Sequence, residues 1–299
     1  MIDPRGLEPS VIRGVFAGVP GTKVRYVQST HTKATNLNTQ GLNYNFPLKT
    51  VQKAIENSLA NDTIIVMPGH VELINAAAAL AINKNGLNIV CLGGRTTNPR
   101  FIVGALTTAN IVLSASDVRM SNFRLECDID SAVNLMNIAG SGNAISNANV
   151  VNTASKQSLI AFSVATAAAR NSFDRITSEQ DTAGAVSCIS LAGACDRTQI
   201  VDCILRGNYS DAPLNVLGAA TNLFISRNSL HNVNAAFNCI KLAAAASTGN
   251  ISFNHCRNAQ ADAAATWITM GAGSLVQLFE NYGVNIDTET GKLIGAVSG

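Results

Sequence analysis

An apolar-x-apolar triplet followed by small residues recurs along most of this 299-residue chain, and it recurs in phase with a second pattern. The first series reads IVLSAS from Ile111, MNIAGS from Met136, FSVATA from Phe162 and ISLAGA from Ile189. It continues as LNVLGA from Leu214, IKLAAA from Ile240 and ITMGAG from Ile268, with starts 25, 26, 27, 25, 26 and 28 residues apart. The second series starts at Met120, Ile145, Phe173, Ile200, Ile225, Ile251 and Leu278, each 9 to 11 residues after its partner. A fixed period of this length is the mark of a repeat architecture.

Within each repeat the apolar residues alternate with period two over short runs, which indicates strands. Gly, Asn, Ser and Asp separate the runs, as turns require. No repeat has room for a helix and a strand together. The chain is therefore expected to be all-β, each repeat forming one coil of a parallel β-helix. Coils would stack at about 4.8 Å, the spacing of paired strands. Five residues after the second-series starts, Leu125, Val150, Leu205, Leu230 and Cys256 are predicted to point inward, and Cys203 and Cys256 read as small core residues. Three residues after the starts come Asn228, Asn254 and Asn281, predicted to form a ladder of amides bonded from coil to coil.

Residues 1–46 do not repeat and are broken by Pro4, Pro9, Pro20 and several glycines, so an extended N-terminal arm is expected there, with one strand near 22–29. In PLKTVQKAIENSLA, 47–60, Leu48, Val51, Ile55 and Leu59 fall at helical spacing behind Pro47. This predicts a short helix capping a β-helix that spans 47–299. The stretch FPLKTVQKAIENSLANDTIIVMPGHVE resembles the opening of right-handed parallel β-helix proteins of the pectin-lyase-like superfamily, with Asn61 where a glycine is usual. Continued through LINAAAALAINKNGLNIVCLGG, it is similar to β-helix proteins of phage virions. That resemblance implies a homotrimer on the capsid surface, assembled in the host cytoplasm, with the arm joined to the major capsid protein or another virion protein.

Charged residues make up only 13% of the chain, about half the usual share. The formal charge is +2 and no basic cluster stands out, so no nucleic-acid partner is expected. No apolar run is long enough for a membrane span, and the first residues do not read as a secretion signal. Seven cysteines without such a signal read as reduced, buried thiols.

The resemblance also directs attention to outer-face carboxylates, since β-helices that cleave polysaccharides carry acidic groups, or Ca²⁺ with a basic residue, on one outer face. Glu126, Asp128 and Asp130 are expected on one side of a strand, where they could hold a hard cation. Asp174, Asp196 and Asp202, with Glu179 and Asp181, fall on neighbouring coils, where a pair could serve a glycosidase. His231 and His255, 24 residues apart, could stack on adjacent coils, but no acidic orienter is evident beside them. His70 and Glu72 read as a turn of the first coil, and no zinc spacing occurs. The expectation is thus a protein with no catalytic residue, cofactor or metal: a non-enzymatic capsid decoration (cement) protein. The alternative is a tailspike-like depolymerase or lyase acting on a cell-surface glycan. The Ala-rich segments near 165, 242 and 261 read equally as tight turns or as surfaces for another chain.

Overall fold

The computed structural model describes residues 23–94, 96–152, 155–234, 238–243, 246–259, 267–285 and 291–294. Successive coils supply strands to three sheets, which among the described residues hold ten, ten and eight strands and are parallel except for the final strand of one of them. We call them the first, second and third sheets, in the order the chain visits them. Both repeat series are strand registers. Ile111, Met136, Phe162, Ile189, Leu214, Ile240 and Ile268 stand one above another in the third sheet. Met120, Ile145, Phe173, Ile200, Ile225, Ile251 and Leu278 do so in the first. The second sheet stacks Leu125, Val150, Ser178, Leu205, Leu230 and Cys256, all buried. The architecture is a parallel β-helix whose coils share one apolar core, because no coil can bury its inner face alone.

The corner between the first and second sheets is made by one residue with positive φ in every coil from Asn122 onward: Asn122, Asn147, Arg175, Asp202, Arg227, Phe253 and Glu280. From Asn122 to Phe253, each such N–H donates to a carbonyl of the following coil, Phe253 to Phe279 at 3.0 Å for example. The residue after the corner points inward. Gly283, further along the last of these coils, permits a close approach: a Cβ there would lie 2.3 Å from the Trp267 ring.

The capping helix α1 covers Val51–Glu56, shorter than the expected 47–60. Thr50 caps it, accepting from Lys53 N, and Ser58 Oγ takes the Ala54 carbonyl just past its end. Leu48, Val51 and Ile55 are buried as expected, but the helix stops before Leu59, which is 65% exposed. Much of the expected arm, residues 1–22, lies outside the described residues. Its later part is not a separate arm: Val24–Val27 pairs in parallel with Thr63–Val66 as a strand of the first sheet. At the other end, Gly291–Ile294 runs antiparallel to Asn281–Asn285. Among the described residues no helix is long and apolar enough to cross a membrane.

Candidate active site

Along the second-sheet strands every other side chain faces outward, because strand residues alternate. In the later coils one outer column holds Arg206, His231 and Arg257 in register. The neighbouring column holds Ser229, His255 and Tyr282. With strands about 4.8 Å apart, the His231 imidazole has a guanidinium-bearing neighbour on each side. Burial, and then Arg206 and Arg257, bring the His231 pKa down to about 4. The ring is therefore neutral at pH 7. Its Nε2 is shielded from solvent and has no hydrogen-bond partner among the described residues, as is true of Nε of Arg257. His255 stacks on Tyr282 with centroids 5.7 Å apart and planes 13° apart. Its pKa is lowered by burial and by Arg257. Among the described residues no carboxylate forms an ion pair with Arg257, and Arg206 has one 4.0 Å contact, with exposed Glu179.

His231 and His255 thus lie on adjacent strands of one face, two register positions apart rather than directly stacked. The grouping that matters, Arg206, His231 and Arg257, was missed in the sequence. Its signal was present: the three residues are 25 and 26 apart, one coil each.

The acidic candidates are engaged elsewhere. Arg100 holds Glu126 in a two-pronged ion pair at 2.7 and 2.6 Å, and Arg124 approaches the same carboxylate at 2.5 Å. Asp128 and Asp130 do not share a strand face with Glu126, because the strand ends at Cys127; Asp128 pairs with Lys156 in the turn beyond. Asp202 takes two bonds from Arg227, at 2.8 and 2.9 Å, which hold its carboxyl below the usual range. Asp174 pairs with Arg175 at 2.6 Å. Asp196 accepts from Thr221 N at 2.7 Å, and that backbone bond lowers its pKa. A glycosidase acid needs a raised pKa, and Asp196 and Asp202 are shifted the other way. No three His, Cys, Asp or Glu side chains gather as a metal site would require, among the described residues.

His70 and Glu72 are more than a turn. Glu72 accepts from Val51 N at 2.6 Å and Gln52 N at 3.2 Å, capping α1 from across the chain. His70 Nδ1 accepts from Ser29 N at 3.0 Å, so its Nε2–H is assigned as donor to Glu72 at 3.0 Å. Both side chains are buried, and the pair ties the capping helix to the first coil. The thiols are equally structural: all seven are free and buried, and burial pushes Cys188 and Cys203 up to about 12.

Inside the wall, Asn228 N and Nδ2 donate to Asn254 Oδ1 at 3.0 and 2.9 Å. Asn254 N and Nδ2 donate to Asn281 Oδ1 at 3.1 and 2.9 Å. A second buried amide column, Asn232, Asn258 and Asn285, stands four residues further along the same coils. It too follows the coil period and was missed in the sequence.

No family model matches the sequence, and no curated protein sequence matches it. A solved structure described as "Rhamnogalacturonan lyase" is similar, with a TM-score of 0.44 and 12% identity over 87% of each chain. A likeness this distant says nothing of this chain's substrate or mechanism. The matching protein is named for an activity, whereas the sequence led to the expectation of a non-enzyme. That expectation is withdrawn. It had rested on a low-charge chain without a visible site and on the resemblance to virion proteins, and the outer face of the second sheet offers basic chemistry instead.

Proposed function

We propose that the chain cleaves an acidic polysaccharide by β-elimination on the outer face of its second sheet. The observation that carries this reading is His231, neutral between Arg206 and Arg257 in register. A uronate ring needs its carboxylate neutralised before the adjacent C–H becomes acidic enough to remove. Two guanidinium groups supply that charge, and arginine matches carboxylate geometry. As they turn onto the substrate they uncover the shielded His231 Nε2. The bound carboxylate also cancels the smaller, electrostatic part of the depression of His231 basicity, while the larger part, from burial, remains. His231 takes the proton from the carbon beside the carboxylate, and that electron pair forms the carbon–carbon double bond. The glycosidic C–O bond breaks, and the leaving oxygen takes its pair and a proton from water.

A tailspike-like depolymerase acting on a cell-surface glycan is the form of this reading that the resemblance to virion β-helices favours. The trimer and the virion location are proposals beside it, to be tested by light scattering and by detection of the chain on purified particles.

The test of the chemistry is the ultraviolet absorbance of the unsaturated uronate released from polygalacturonate or alginate. His231→Ala and Arg257→Ala are each expected to lower turnover by a factor of about 10² or more. The acid limb of kcat/KM should lie near the free-enzyme value of about 4. New reducing ends without the unsaturated product would refute elimination, and cleavage of neither polymer would refute the reading as a whole.

A further inference from the structure

We propose that Phe253 and Phe279 form an apolar subsite for the sugar ring beside the one gripped by the arginines. The acidic chain then lies along the strands of the last coils, not parallel to the solenoid axis. This inference rests on the reading of the second-sheet face given above.

Three observations meet at this corner. The two rings lie edge to face, 5.5 Å apart at 82°, and both are half exposed, at 50% and 52%. Such pairs usually anchor a core, and here the pair faces outward. Phe253 also holds the corner position with φ +57°. Bulky residues avoid that conformation, and the other coils place Asn, Arg, Asp or Glu there. Half-exposed Phe253 has little burial to offset the strain, and strain of this kind gathers at functional sites.

The third observation is continuity. Phe253 precedes His255 by two residues, and His255 precedes Arg257 by two. Along the next coil, Phe279 is followed by Tyr282, which stacks on His255. An aromatic strip therefore runs from the corner to the arginines, with Phe253 four residues before Arg257. The carboxylate end of this strip is cationic and the far end is apolar. One polymer presents both partners: charged carboxylates, and ring faces lined with C–H groups that pack on aromatic carbon.

The test uses the full chain and residue types that the fold already accepts at these places. Phe253→Asn takes the residue found at Asn122 and Asn147. Phe279→Ser takes that of its register neighbours Ser252 and Ser226. With polygalacturonate or alginate oligomers of increasing length, each change is expected to raise KM about three- to tenfold at unchanged kcat. The effect should vanish on the shortest oligomer cleaved. An unchanged KM at every length overturns the subsite; if Arg257→Ala still abolishes turnover in that case, the reading of the second-sheet face survives it. Full turnover in Arg257→Ala, or no cleavage by the unaltered chain, overturns both. The patch could instead seat a second copy. Light scattering that finds an oligomer in the unaltered chain and a monomer in Phe253→Asn would assign it so and overturn the subsite.

Discussion

The earlier and later coils of this solenoid fill one corner in two ways. The inward residue after the turn is Phe123, Ala148, Ile176 and then Cys203 in four successive coils. In the next three it is Asn228, Asn254 and Asn281, with amides bonded from coil to coil. The outer face of the second sheet divides similarly. In the earlier coils Glu126 cancels Arg100 and Arg124, whereas the neutral His231 and Arg257 stand on the later coils and Arg206 on the coil just before them. Apolar packing tolerates small slips in alignment, but a chain of directional amide bonds does not. The difference teaches that the amide-bonded wall stands behind the coils whose outer side chains must stay in line.

The largest expected effect comes from breaking the ladder. Asn254→Leu would leave Asn228 N–H, the Asn228 amide and the Ile225 carbonyl short of partners. At about 1–3 kcal/mol for each buried group left unsatisfied, the loss should reach about 3 kcal/mol or more, read by denaturant unfolding. An unchanged midpoint would mean that the two halves differ only in appearance.

A smaller effect sharpens the contrast by moving an amide across the boundary. Cys203 N already donates to Asn228 Oδ1 at 2.9 Å, so Cys203→Asn would add one rung beside an existing ladder. It is expected to cost within about 1 kcal/mol, the size of a single net hydrogen bond. Ile176→Asn puts the same amide one coil further back, against Cys203, and should cost about 2–3 kcal/mol. Equal costs for the two in thermal melts would show that the boundary has no energetic meaning.

A pH-dependent effect concerns the outer face. The folded chain lowers His231 from 6.5 to about 4, so the unfolded chain binds that proton more readily. Stability from this group is complete above about 6.5 and falls as the pH drops toward about 4. His231→Gln should flatten that part of the curve of unfolding midpoint against pH. An identical slope in both proteins would place the imidazole outside the field of the arginines.

The coils were legible because their apolar residues repeat in phase, and Met120 to Leu278 marks one strand register from end to end. The ladder asparagines were legible for the same reason. The basic site kept the same period, but arginine and histidine at coil spacing are also what a solvated face would carry. Only the register showed which side chains share a column, and only their burial showed that the imidazole is held neutral. The bond from Glu72 to α1 had no periodic signal, since it joins groups 20 and 21 residues apart in a single contact. The strand at Val24–Val27 was foreseen near 22–29, but its partner was not, because it adds to the sheet ahead of the first repeat.

A solenoid is in principle a polymer: any coil could accept another of the same kind, in the same or a second molecule. Here the first coils are underlain by α1, which packs against Val24–Val27, Thr63–Val66 and Leu80–Ile82. In the second sheet the last strand runs backwards against its neighbour. A molecule stacked on that end would meet a reversed strand in place of a parallel edge, so continuation of the repeat there is interrupted. At that edge Gly291–Ile294 does for the second sheet what a cap does for a filament.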